Sequence, residues 1–87
     1  MIIEFIEAAM STARYELLPK ESESYYGEIP TCKGVWATGK TLEACRLELQ
    51  DTLDGWIALR LRRGLKIPVI RGKTLRPLTR VSVGGKT

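Results

Sequence analysis

The sequence contains no histidine. That removes the side chain whose ordinary pKa lies nearest neutrality. With it go Ser-His-Asp and Cys-His nucleophile arrangements and His-ligated metal sites. Cysteine is nearly absent as well: Cys32 and Cys45 are the whole supply, and no CxxC occurs. Two thiolates are too few for a zinc cluster. A Cys32–Cys45 disulfide is open on sequence alone, but Cys45 falls on the apolar stripe of an expected helix, where a free thiol acts as a small hydrophobe. Two reduced thiols in a cytoplasmic protein are therefore the expectation. No apolar run approaches the roughly 18 residues of a spanning helix. The start, Met1-Ile2-Ile3-Glu4, lacks a basic leader, and Glu4 and Glu7 interrupt its apolar residues. Neither a membrane nor an export signal is expected.

Acidic residues are absent from the whole stretch Ile57–Thr87, which carries nine basic ones and so a charge of +9. Met1–Trp56 holds all ten acidic residues against five basic, a charge of −5. Such asymmetry suits a polyanion or an acidic protein surface, or a tail that folds back on its own acidic body. Eighty-seven residues make one domain. Its core will be thin, which favours a homo-oligomer, a dimer or a tetramer.

Along the chain, the apolar spacing predicts a helix over residues 2–13, with Ile2, Ile3, Ile6, Ala9, Met10 and Ala13 on one arc. Short strands are expected over Arg14–Leu18, Tyr25–Ile29 and Val35–Thr38, separated by turn chemistry and closed by Pro19, Pro30 and Gly39. Their spacing indicates an antiparallel meander. The period then changes. Thr41 is a good N-cap, and Leu42, Cys45, Leu49, Leu53, Trp56 and Ile57 form one stripe of a helix that runs to Arg63, with Gly64 as its stop. Gly55 inside it is unfavourable by about 1 kcal/mol, which calls for a packing reason or a slight break. Leu47, Leu59 and Leu61 lie off the stripe and anticipate a second packing partner. Leu65–Ile70 is expected to add a fourth strand near an edge, given Pro68. A basic tail, 71–87, follows, in which Val81–Val83 is a further candidate strand. The chain is thus a single domain, 1–87, of class α+β: an N-terminal helix (2–13), a β-β-β-α-β core with a small antiparallel sheet (14–70), and the tail.

Enzyme chemistry finds little support. Glu16 and Glu28 can lie on neighbouring strands, yet no further acidic residue completes a Mg²⁺ site. The stretch Gly34-Val35-Trp36-Ala37-Thr38-Gly39-Lys40-Thr41 matches GxxxxGK[ST] literally. Between the glycines, however, stands a β-branched and aromatic strand segment rather than a small flexible loop, and a nucleotide site needs a βαβ sheet that this element order does not supply. No catalytic residue, cofactor or metal is expected.

The ordered combination Tyr26-Gly27-Glu28-Ile29-Pro30, Gly34-Val35-Trp36-Ala37-Thr38-Gly39, Thr41-Leu42-Glu43-Ala44-Cys45 and, after a long amphipathic helix, Gly64-Leu65-Lys66-Ile67-Pro68 resembles the HicB antitoxin family. With the strand before it, the resemblance spans roughly two-thirds of the chain. Where the family usually has an acidic residue this chain has Lys40, and often a second where it has Ala44. The resemblance implies a truncated ribonuclease-H-like fold without catalytic carboxylates, here in a solo form lacking a C-terminal DNA-binding domain. It also implies a role in a bacterial type II toxin–antitoxin system, neutralising a HicA-type RNA-cleaving toxin by stoichiometric binding. The acidic Glu28, Glu43, Glu48, Asp51 and Asp54 are then candidates to meet a basic toxin by charge complementarity. The alternative is a small nucleic-acid-binding protein acting through Arg60, Arg62, Arg63, Arg71, Lys73, Arg76 and Arg80, although that basic tail has no interleaved aromatic.

Overall fold

The computed structural model describes residues 2–19 and 24–72. Its elements are α1 (Ile2–Ser11), β1 (Arg14–Leu17), β2 (Tyr25–Glu28), β3 (Trp36–Gly39) and α2 (Leu42–Arg63). The α+β class and the antiparallel meander of the sequence reading are present. The strand order is β1-β2-β3, with Arg14 opposite Glu28 in the first pair and Glu28 opposite Trp36 in the second.

The meander follows from its turns. The Ile29–Val35 hairpin is closed by Ile29 N–H donating to the Val35 carbonyl at 3.1 Å and Val35 N–H to the Cys32 carbonyl at 3.0 Å. Gly34 takes φ +92 there, a conformation open to glycine without steric penalty. Between β1 and β2, Leu18 N–H donates to the Ser24 carbonyl.

α2 begins where expected. Thr41 is extended (φ −127, ψ 163), and its hydroxyl accepts from Ala44 N–H at 3.0 Å. It ends at Gly64 in the left-handed region (φ 67), where Gly64 N–H donates to the Leu61 carbonyl and Leu65 N–H to the Arg60 carbonyl, a Schellman-type closure. Its buried stripe is Cys45, Leu49, Leu53 and Ile57. Burying each large aliphatic member stabilises the fold by about 1.5–3 kcal/mol. α2 lies across β2 and β3 on one face of the sheet. The core joins that stripe to Phe5, Ala8, Ala9, Ile29, Cys32, Val35, Ala37, Ile67 and Ile70. Both cysteines are free and buried.

Four details depart from the sequence reading. The fourth strand does not form: 65–70 carries only a single bridge residue, Ile70. Pro68 has no N–H to contribute to a ladder. The segment is tied instead by Arg60, whose Nε donates to the Lys66 carbonyl at 2.7 Å, while Ile67 and Ile70 turn inward and Val69 stays exposed. Next, α1 ends at Ser11 rather than Ala13, its last turn closed by Ser11 and Thr12 hydroxyls donating to the Ala8 and Ala9 carbonyls. Its burial also differs in part: Phe5, Ala8 and Ala9 point into the core, Ile6, Met10 and Ala13 pack partly against it, and Ile3 is 70% exposed. Alanines let the helix approach closely and Phe5 fills the space, so the most buried arc centres on Phe5 and Ala9. Finally, Leu42 is exposed and Trp56 half-buried, and Gly55 sits in an unbroken helix with nothing within 4 Å of where its Cβ would be. The expected strand at Val81–Val83 and the basic candidates Lys73, Arg76 and Arg80 lie outside the described residues.

Candidate interaction surfaces

Period-two alternation sends successive strand side chains to opposite faces. On the α2 face lie Gly27, Ala37 and Gly39. A Cβ at Gly39 would stand 2.5 Å from the Cys45 backbone nitrogen, and one at Gly27 would stand 3.1 Å from the Cys45 Sγ. The glycines thus let α2 sit close on the sheet, and Cys45 Sγ lies 3.6 Å from the Ala37 carbonyl.

The opposite face bears two cross-strand rows, Arg14–Glu28–Trp36 and Glu16–Tyr26–Thr38. Tyr26 and Trp36 stack with ring centroids 6.1 Å apart and an interplanar angle of 25°. The Tyr26 hydroxyl donates to Glu28 Oε1 at 3.1 Å. Desolvation, then this hydrogen bond to Glu28, raises the Tyr26 pKa. Trp36 is 55% exposed. No helix of the described residues packs on this face.

The five acidic candidates are not gathered into one surface. Glu28 belongs to the open sheet face. Glu43, Glu48, Asp51 and Asp54 are on α2, which lies on the sheet's other side. Glu43 is held by Arg46, whose Nη2 stands 2.8 Å from Glu43 Oε2; that hydrogen bond and charge lower the Glu43 pKa and raise that of Arg46. Glu48 lies in a hollow between β3 and α2 with Lys40, Ala44 and Thr52. Asp54 lies beside Ile6, Ala58 and Leu61, where α1 meets α2. Leu61 packs partly against the core and lines this hollow with Ile6, whereas Leu47 and Leu59 remain exposed.

Of the basic candidates, Arg60, Arg62, Arg63 and Arg71 are described. Arg60 stands apart because its guanidinium lies 4.9 Å above the Trp56 ring. Trp56 Nε1 donates to the Lys33 carbonyl at 3.2 Å. Lys33, Trp56, Arg60 and Lys66 share a hollow of about 610 Å³ with Thr31, Ile67, Pro68 and Val69. Sequence reasoning missed Lys33, Lys66 and Trp56 because they come from a turn, a post-helix segment and a helix stripe. It missed Trp36 and Tyr26 as surface residues because aromatics in strands read as core. The alternation of Tyr26 with Glu28 was the available signal.

The P-loop spelling has a structural meaning of its own. Gly34 closes a hairpin, Val35 is buried, Trp36–Gly39 is β3 and the Thr41 hydroxyl caps α2. Gly39 lets α2 approach the sheet closely. No group of three or more His, Cys, Asp or Glu able to hold a metal occurs among the described residues. No described helix is long and apolar enough to cross a membrane.

A family profile described as UPF0150-like matches residues 4–68. The chain is similar to a solved crystal structure, TTHA0281 from Thermus thermophilus, with 43% identity over 86% of this chain and 91% of that one and a TM-score of 0.81. No curated protein matches it.

Proposed function

The chain belongs to the UPF0150-like family, and from that premise, together with the association of the family with HicB-like antitoxins, we propose that it is a stoichiometric binding module. In this reading it is a HicB-like antitoxin that neutralises a small RNA-cleaving toxin of the HicA type by covering it. Masking requires surface and charge, not bond-breaking groups on this chain. A standard interface takes about 800 Å² from each partner.

The observation that carries the reading is the open sheet face. Trp36 stands exposed on it, stacked on Tyr26 and next to Glu28, with Arg14 and Glu16 farther across the sheet on β1. Tryptophan and tyrosine are the residue types that dominate interface energetics. An RNA-cleaving partner must carry basic residues to hold its substrate, which complements the two glutamates.

The test is co-expression with the adjacent reading frame and recovery of a complex. A one-to-one complex that no longer cleaves RNA is expected. Trp36→Ala should weaken it by at least ~2 kcal/mol, about thirtyfold, with the circular dichroism unchanged. If Trp36→Ala and Glu28→Arg both bind like the parent chain, or no small basic protein is captured, the reading fails.

A further inference from the structure

We propose that the hollow at the C-terminal end of α2 binds a segment of single-stranded nucleic acid, with Lys33, Arg60 and Lys66 taking backbone phosphates and the Arg60-covered Trp56 ring, Pro68 and Val69 forming the wall against which a base lies. This goes beyond the masking function and uses a different surface.

Three pieces of chain converge there: the β2–β3 turn, the last turns of α2 and the segment after it. They are locked to one another. Trp56 Nε1 donates to the Lys33 carbonyl, Arg60 Nε donates to the Lys66 carbonyl, and the Arg60 guanidinium lies over the Trp56 ring. Each bond anchors the backbone of a lysine and leaves its ammonium free to reach a ligand. Both lysines are exposed.

The charge in the hollow is unbalanced. Three cations line it and no carboxylate does. None of the three is ion-paired to a carboxylate among the described residues. Arg63, Arg62 and Arg71 extend the same basic end of the chain. The α2 terminus does not offset this charge fully, because two of its last carbonyls already accept from Gly64 and Leu65 N–H. Uncompensated cations gathered in a concavity raise the local concentration of polyanions.

The apolar wall selects among polyanions. Single-strand binders combine a positively charged groove with aromatic surface for bases. The basic tail lacks an aromatic in sequence; the fold supplies one from α2. The hollow is open to solvent, and its volume of about 610 Å³ has room for a nucleotide-sized portion of a strand.

The test uses the full chain carrying Trp36→Phe, so that Trp56 is the only indole of the two in the sequence. Its fluorescence is followed on adding RNA and DNA strands of about 12 nucleotides, and on adding inorganic polyphosphate or polyglutamate. Quenching by the nucleic acids is expected. With three phosphates engaged, affinity should fall roughly twentyfold between about 50 and 200 mM salt. The double variant Lys33→Glu with Lys66→Glu should lose at least tenfold in affinity at unchanged circular dichroism. Absence of quenching at the lower salt overturns the proposal. So does equal binding of polyglutamate or polyphosphate, which would make the hollow an unselective anion patch. Unchanged affinity of the double variant would place any binding elsewhere on the chain and overturn it too. All these measurements use the protein alone, so their failure leaves the toxin-masking reading standing.

Discussion

Single atoms decide how closely α2 can sit on the sheet. Gly39→Ala would put a Cβ 2.5 Å from the Cys45 backbone nitrogen and 2.8 Å from its Cα. Backbone cannot step aside cheaply, so a loss of about 1–3 kcal/mol or more is expected, read as a lower urea midpoint. Gly27→Ala meets the Tyr15 ring at 2.9 Å and the Cys45 Sγ at 3.1 Å. The edge of a ring on an exposed strand can give, so this variant should lose less; the reverse order would refute the close-approach argument. Cys32 offers a second test at this scale. Burial in the hairpin pushes its thiol pKa up from 9.0 to about 11. The folded chain therefore holds its proton more tightly than the unfolded one. This contribution to stability is complete below pH 9 and disappears as the pH rises through about 11. Cys32→Ala should flatten that part of the decline, as measured by urea unfolding at pH 8 and at pH values near 10. At neutral pH the thiol should resist alkylation in the folded protein.

At the scale of elements, α2 is written almost completely in local sequence. Its cap and its stop coincide with the residues that announce them, and four members of its expected stripe, Cys45, Leu49, Leu53 and Ile57, are buried. Thr41→Ala removes the hydroxyl that accepts from Ala44 N–H and should cost about 1 kcal/mol. Gly55 is the exception, an exposed helix-interior glycine with open space around it. Nothing among the described residues explains it, and Gly55→Ala is expected to stabilise the protein by about 1 kcal/mol. A loss instead would show that something approaches the helix there in solution. α1 teaches the opposite lesson. Its isoleucines are more conspicuous than its alanines, yet Ile3 is exposed and Ala8 and Ala9 are buried. A short helix at the margin of a small core is placed by what its neighbours leave open, and periodicity alone does not say which arc that is. The segment 65–70 likewise reads as a strand, but proline and the Arg60–Lys66 bond hold it otherwise.

Across the whole molecule, a core this small makes every large side chain a global matter. A chain of 87 residues has a folding stability of about 4–13 kcal/mol. Phe5 is fully buried and is the largest side chain that α1 contributes to the common core. Phe5→Ala should therefore cost about 3–5 kcal/mol and lower the unfolding midpoint of the entire protein. If the Trp56 signal in α2 kept its parental midpoint in that variant, α1 would be an independent appendage and the single-core description would fail.

What the amino-acid order settled by itself is whatever depends on neighbours a few residues away: three short strands with their turns, the limits and stripe of α2, the α+β class, and a charge that runs from acidic to basic along the chain. Capping, proline geometry and helical or strand periodicity act at that range. Only the tertiary structure decided which face of α1 is covered, that Trp36 stands on the open side of the sheet, and that Glu28 is parted from the acidic residues of α2. It alone brought Lys33, Trp56, Arg60 and Lys66 together. Those outcomes depend on the packing of segments far apart in the chain, where the space left by one element selects the residues of another.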